Sequence, residues 1–295
     1  MGCHGHGESE QSNVGFIPGL TGRGVLLGFP VRARTKLVYH ADRSGVPHTG
    51  CFFSPAFDIR LVSEVTRLPT GCAAIDELLD GGLELGAITQ VYGQPGSGKT
   101  NLVLAAAVTT AVRGGRALII DTEGLSPERL SQLISGVETD EDPTAITDRI
   151  VVRDVFDFDE QTDAIRDAVA VAADVDLVAV DSLTGFYRLA RTSDAQEGDA
   201  LRTVTRQVTH LLSVARKYDL AVLVTNQVFT DPDADRVRPL GGHTLSHWCS
   251  AVIRLDRFRG GNRRAMLEKH RSLPAGGAAG FRITETGLES VDAFV

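Results

Sequence analysis

Eight consecutive residues constrain this chain more than any other feature. Gly93-Gln94-Pro95-Gly96-Ser97-Gly98-Lys99-Thr100 fits the pattern G-x-x-x-x-G-K-[ST] in full. The apolar run AITQVY (87–92) precedes it, and the helical pattern NLVLAAAVTTAVRG (101–114) follows. A strand, a glycine-rich turn and a helix in that order make a cradle for phosphate. Glycines let successive backbone N–H groups turn inward, and the helix N-terminus adds a favourable dipole. Lys99 then reaches the β- and γ-phosphates and the Thr100 hydroxyl ligates Mg²⁺. The competing explanation is a glycine-rich turn with a coincidental lysine, but the chain has only four lysines, at 36, 99, 217 and 269.

The surrounding pattern is alternating α/β. Strand-length apolar runs recur as ALIID (117–121), RIVV (149–152), DLVAVD (176–181) and LAVLVTN (220–226). Amphipathic stretches separate most of them: SPERLSQLISG (126–136), TDAIRDAVAVAA (162–173) and GDALRTVTRQVTHLLSVARKY (198–218). Strands apolar throughout are buried on both faces, which predicts a mostly parallel sheet flanked by helices. After residue 250 the style changes. AVIRLDRF, Gly260-Gly261-Asn262 and RRAMLEKHR read as a hairpin, and GFRITETG as a further strand, so the core ends in an antiparallel extension.

Parallel strands bring their C-terminal ends to one edge, where side chains from different strands meet. Asp181 closes DLVAVD and is placed to hold a metal shell; its alternative role is a helix cap. Glu123, just after ALIID, can face the same crevice and orient or deprotonate a water, or can simply favour a helix start. Gln227 follows LAVLVTN and offers an amide to the γ-phosphate or its water; the alternative is a solvent-facing turn residue.

Composition narrows the class. Thirty basic residues, of which 26 are Arg, stand against 38 acidic ones, of which 24 are Asp, for a net charge of −8. That surface resembles a salt-adapted one and excludes a chain coated in positive charge for bulk nucleic-acid binding. Four scattered cysteines lack C-x-x-C spacing, which argues against a zinc site or a disulfide framework. No apolar run reaches the ~18–20 residues of a membrane span. The start lacks a secretory pattern, so a soluble cytoplasmic protein is expected. Residues 1–60 carry a balance of +2 and the remainder −10. The front shows no sustained period, so residues 1–61 read as a low-order extension and 62–295 as the ATPase domain. A disordered arm or an early-called start explains the discontinuity better than an independent module.

Taken in order, GQPGSGKTNL, IIDTEGLSPERL, DLVAVDSLTGFYR, LVTNQVF, PLGGHTLSHWCSAVIRL and LEKHRSLPAG resemble the RecA-type recombinase ATPases of archaea. The resemblance covers about 65–292. Within that family the chain most resembles the RadB paralogues, which consist of the ATPase core alone. It implies a RecA-like P-loop fold, ATP and Mg²⁺ as cofactors, weak hydrolysis and DNA binding without strand exchange. It also implies the main archaeal recombinase RadA and a Holliday-junction nuclease as partners in homologous recombination and repair. It extends the phosphate loop to Asn101 and supports Thr100 and Asp181 at the metal, Glu123 as catalytic carboxylate and Gln227 as γ-phosphate sensor. Arg129 matches a family arginine that packs on adenine. The family usually reads DTEGTFRPER where this chain has DTEGLSPER, without the Phe-Arg pair, which puts robust recombinase activity in doubt. KaiC-like signalling ATPases are the runner-up, but they usually carry adjacent glutamates, and Glu123 is single. A non-hydrolysing mediator is a third reading. Phe53-Ser-Pro-Ala56 fits the F-x-x-A tether of some recombinases.

In this fold DNA is met by two loops, here about 184–198 with Arg188 and Arg191, and 229–242 with Arg236 and Arg238. Asp231, Asp233 and Asp235 oppose phosphate in the second, so binding of single-stranded DNA there is expected to be weak and salt-sensitive. The stretch 254–271, with Arg263 and Arg264 among its cations, reads equally as DNA contact or as an edge hairpin protected by charge. By resemblance, Lys269 and Arg271 reach a neighbouring subunit's ATP.

Overall fold

Strands that are apolar at every position need cover on both faces, and the computed structural model provides it. It describes residues 66–187, 194–231, 236–258 and 261–291, with backbone alone at 194–197, 229–231 and 236–237. The chain divides into Met1–Ser54 and Pro55–Val295, and the described residues all belong to the second unit. The expected extension 1–61, with the Phe53–Ala56 tetrapeptide, lies outside the described residues.

A short ladder of β1 (Arg67–Leu68) and β2 (Leu83–Glu84) brackets α1 (Ala73–Leu78). The core then runs β3 (Ala87–Gly93), α2 (Lys99–Val112), β4 (Ala117–Asp121), α3 (Pro127–Ser135), α4 (Pro143–Thr147) and β5 (Ile150–Asp154). It continues with α5 (Phe158–Asp167), β6 (Leu177–Asp181), α6 (Asp194–Tyr218) and β7 (Ala221–Asn226). The hairpin β8 (Val228–Asp231) and β9 (Arg236–Pro239), then α7 (Gly242–Trp248), lead to β10 (Ala251–Arg257), β11 (Asn262–His270), β12 (Ala278–Ile283) and β13 (Leu288–Val291).

The main sheet has the order β13-β12-β11-β10-β3-β7-β6-β4-β5. From β10 to β5 the neighbours are parallel, and β11 to β13 are antiparallel. This is the expected RecA-like arrangement. Alternate strand residues sort to two cores. Ile119, Leu177, Ala179 and Leu223 pack with α2 on one face, while Leu118, Val178, Val180 and Val222 pack with α5 and α6 on the other. Ala-rich α2 is buried at most of its positions, as a helix pressed against a wide sheet must be.

Three differences from the sequence reading have physical causes. The run RIVV becomes the edge strand β5 and leaves Val151 and Val152 42% and 39% exposed, so it is not buried on both faces. In the segment 229–242, expected to be a loop, residues 229–231 and 236–239 belong to the β8–β9 ladder instead, with Phe229 opposite Arg238. The final strand β13 is too short and polar to show a period, and it pairs with β12 from Gly280 to Ile283.

A buried polar lock ties the helical face to the sheet. Gln161 of α5 donates from Nε2 to the Leu183 carbonyl just beyond β6 (3.0 Å) and to Oε1 of Gln207 in α6 (2.8 Å). Gln207 donates in turn to Thr162 (2.8 Å), and both glutamines are buried.

Candidate nucleotide site

The crevice lies where β3, β4, β6 and β7 end on one edge. Gly93 to Thr100 wraps from β3 into α2. Gln94, Pro95 and Gly96 form an exposed rim, and Ser97 to Lys99 are buried. Two glycines are obligatory. A Cβ on Gly93 would stand 2.3 Å from the Leu255 carbonyl of β10, and Gly98 caps α2 with φ +106°. The Lys99 ammonium curls over the loop, donating to the carbonyls of Gly93 (3.0 Å) and Gln94 (3.3 Å). Burial holds its pKa below the usual lysine value, with Glu123 and Asp181 pulling it back up.

Asp181 is fully buried at the end of β6. Thr225 of β7 donates to its Oδ1, and Oδ2 has no hydrogen-bond partner. Burial pushes the carboxyl up to about 6, against the nearby Thr225 and Thr100 hydroxyls; Glu123 adds to the rise and Lys99 opposes it. Ser97 Oγ in the loop is likewise buried and unpartnered. Ten buried side-chain atoms lack a partner among the described residues, and it is the placement of these two, in the loop and at the strand end facing it, together with a lysine on its own loop carbonyls, that suits a metal-bound polyphosphate. The residues present fit Mg²⁺ and a nucleoside triphosphate.

Glu123 and Gln227, from different strand ends, meet: Gln227 Nε2 donates to Glu123 Oε1 at 2.9 Å. Each is held by neighbours that sequence reasoning missed. Asp121, buried at the end of β4, accepts from the backbone N–H of Glu123 (3.0 Å), Gly124 (3.1 Å) and Leu125 (2.5 Å), and so shapes the loop that presents Glu123. The buried Thr184 hydroxyl accepts from the Gln227 N–H (3.0 Å), and the Gln227 carbonyl accepts from Leu240 N–H (2.9 Å). An Asp or Thr next to a strand end is so common that spacing alone gave no signal for either.

Arg129 stands at the far end of the loop. Its Nε donates to Asn101 Oδ1 (2.7 Å), and its Nη1 to Gln132 Oε1 (3.0 Å) and the Glu285 carbonyl (2.8 Å). Ile283 packs on the loop itself, with its Cδ1 3.1 Å from where a Gly98 Cβ would stand. Arg129 and Asn101 therefore act as a pair, tied to the turn between β12 and β13.

The outer cations are placed as follows. Lys269 donates to the carbonyls of Ser246 (2.7 Å) and His247 (3.2 Å) at the end of α7, and Arg271 pairs with buried Glu84. Arg264 pairs with Asp256 (3.1 Å) and lies over the Phe258 ring, 4.9 Å from its centroid. Arg263 instead donates from Nη1 to the Gly261 carbonyl and reaches the phosphate loop with Nη2, 3.4 Å from the Gly96 carbonyl. Arg188 and Arg191 lie outside the described residues. Arg236 is described by its backbone in β9, and Arg238 is exposed. Cys72 and Cys249 are free, buried thiols. Among the described residues no helix is long and apolar enough to cross a membrane.

The model of the Rad51 family matches residues 61–291. A DNA repair and recombination protein RadB from Halobacterium salinarum is 59% identical over 230 residues, covering 77% of this chain and 97% of its own. One from Methanoculleus marisnigri is 43% identical over 229 residues, covering 76% and 98%. Among solved structures, a RadB recombinase is 37% identical and superposes with a TM-score of 0.66 over 76% of this chain and all of its own. With the fold, the ordered strand-end residues and these relatives agreeing, the chain belongs to the Rad51 family of recombinases, in its RadB group of archaeal paralogues.

Proposed function

We propose that this chain binds ATP with Mg²⁺ at the β3–α2 loop, hydrolyses it slowly, and uses the nucleotide state to set its hold on single-stranded DNA during recombinational repair. The observation that carries the reading is the pair of buried, unpartnered oxygens, Asp181 Oδ2 and Ser97 Oγ, beside Lys99. Loop N–H groups from Gly96 to Thr100 cradle phosphate oxygens, and Lys99 exchanges two loop carbonyls for them. Thr100 and Asp181 would hold Mg²⁺, which when bound neutralises phosphate charge. Glu123 accepts the proton of an attacking water, and the Gln227 amide keeps its carboxylate aimed. Because Leu240 is bonded to the Gln227 carbonyl, a shift of Gln227 is passed to the β8–β9 hairpin, where the second DNA-facing segment lies.

DNA contact falls to the segments carrying Arg188, Arg191, Arg236 and Arg238. The main archaeal recombinase RadA is the partner that the relatives' recombination role favours, with a Holliday-junction nuclease as a further one. The test is ATP binding and turnover in molar salt. Lys99→Ala is expected to abolish binding, and Glu123→Gln to retain binding while losing turnover. Unchanged binding in Lys99→Ala overturns the proposal. One observation favours a non-hydrolysing mediator as the second reading: the Glu123 carboxylate is already engaged by Gln227. Repair function that survives Glu123→Gln intact would select it.

A further inference from the structure

Strand pairing carries the arginine-rich hairpin to the rim of the phosphate loop. Leu255 of β10 lies opposite Gly93 in the parallel register, and two residues on, Arg257 stands opposite Arg263 of β11. Like charges directly opposite on adjacent strands are destabilising. Two other arginines of this hairpin are neutralised: Arg254 pairs with Asp256 and Glu268, and Arg264 with Asp256. Among the described residues no carboxylate pairs with Arg257 or Arg263.

Both side chains lean on the loop. Arg263 Nη1 donates to the Gly261 carbonyl in its own turn, its Nη2 is 3.4 Å from the Gly96 carbonyl, a long bond, and its Nε, like that of Arg264, is buried without a partner. Arg257 Nη1 lies 3.5 Å from where a Gly96 Cβ would stand. Burial and the Arg257 charge both disfavour the Arg263 cation. Two forked cations facing each other, one with an unused buried donor, are a site for an anion, and the adjacent loop is the element built to present one.

We propose that Arg257 and Arg263 form a clamp, supplied by the same chain, for the terminal phosphate of a nucleoside triphosphate seated at Gly93–Thr100. The clamp rests on the ATP-binding reading above. It makes the site distinguish triphosphate from diphosphate without a cation from a neighbouring subunit. Lys269 and Arg271, the residues expected to act across subunits, are held by α7 and by Glu84 in their own chain.

The test is a titration of the full chain with fluorescent ATP and ADP analogues, in molar KCl with Mg²⁺. For Arg257→Gln/Arg263→Gln the ATP analogue is expected to bind at least about tenfold more weakly, about 1.4 kcal/mol, with ADP analogue affinity within about twofold of the unsubstituted chain. The retained ADP affinity also certifies the fold. Arg263→Lys, which keeps charge but loses the fork, is expected to fall between. If the unsubstituted chain binds neither nucleotide, the ATP reading and the clamp both fail. If it binds both and the double variant keeps its ATP-to-ADP ratio, the clamp alone is overturned. Equal weakening of both nucleotides, or loss confined to single-stranded DNA binding, overturns it as well.

Discussion

Strands β4 and β6 end side by side on an aspartate in the same register, Asp121 opposite Asp181, yet the two carboxylates have opposite fates. Asp121 is saturated by three backbone N–H groups of the loop that follows. After Asp181 the next two N–H groups turn elsewhere. Ser182 donates to the Thr122 hydroxyl (2.8 Å) and Leu183 to the Thr225 carbonyl (3.0 Å), which leaves Oδ2 unpartnered. A strand-end carboxylate therefore becomes structural or chemical according to where the following backbone donors point. The first shapes a loop, while the second stores an unfavourable charge that a cation relieves.

The sharpest way to break that contrast is to neutralise each aspartate. Asp121→Asn is expected to lower stability by about 2–4 kcal/mol, since an amide cannot serve three converging donors. Denaturant unfolding measures it, and a loss below about 1 kcal/mol would deny Asp121 its structural role. Asp181→Asn should do the reverse, raising the stability of the nucleotide-free protein by about 1–3 kcal/mol while abolishing Mg²⁺-dependent nucleotide binding. The sign follows from a folded-state pKa of about 6 against an ordinary 3.8. The native state holds the extra proton between those values, so the Asp181 contribution weakens as pH climbs from about 4 to about 6 and is flat above. Unfolding midpoints across that range should show the slope in the unsubstituted chain and its loss in Asp181→Asn. Mg²⁺-nucleotide affinity should fall below about pH 6, where protonated Asp181 no longer attracts the cation. The smallest stability effect belongs to Glu123→Gln, within about 0.5 kcal/mol for an exposed side chain. Turnover in that variant should nevertheless drop about 10²–10³-fold, checked by single-turnover phosphate release.

What could be read from residues alone was local or periodic. The phosphate loop, the buried strands and the antiparallel ending follow from spacing and apolar runs, and the order of strand ends brought Glu123, Asp181 and Gln227 to one edge. Side-chain partnerships set by distant pairing were out of reach. Nothing in RLDRFRGGNRRAMLEKHR tells Arg263, aimed at Gly96, from Arg264, held by Asp256, because the β10–β11 register decides it. The edge position of β5 was hidden for the same reason. Val151 and Val152 are as apolar as any buried pair, and only the sheet order leaves them without cover.

The glutamine lock between α5, α6 and the end of β6 has a mechanical consequence. Helix α6 runs for 25 residues, about 37 Å, and Gln207 sits in its middle, its amide accepting from Gln161 and donating to Thr162, neighbours on α5. Rolling α6 about its own axis would break its two buried hydrogen bonds to α5, whereas sliding it together with α5 keeps those two and strains only the Gln161 link to the Leu183 carbonyl. The helix is thus keyed against rotation like a shaft in a slot. Because the same Gln161 holds the Leu183 carbonyl two residues past Asp181, a displacement of that strand end reaches α6 as a translation.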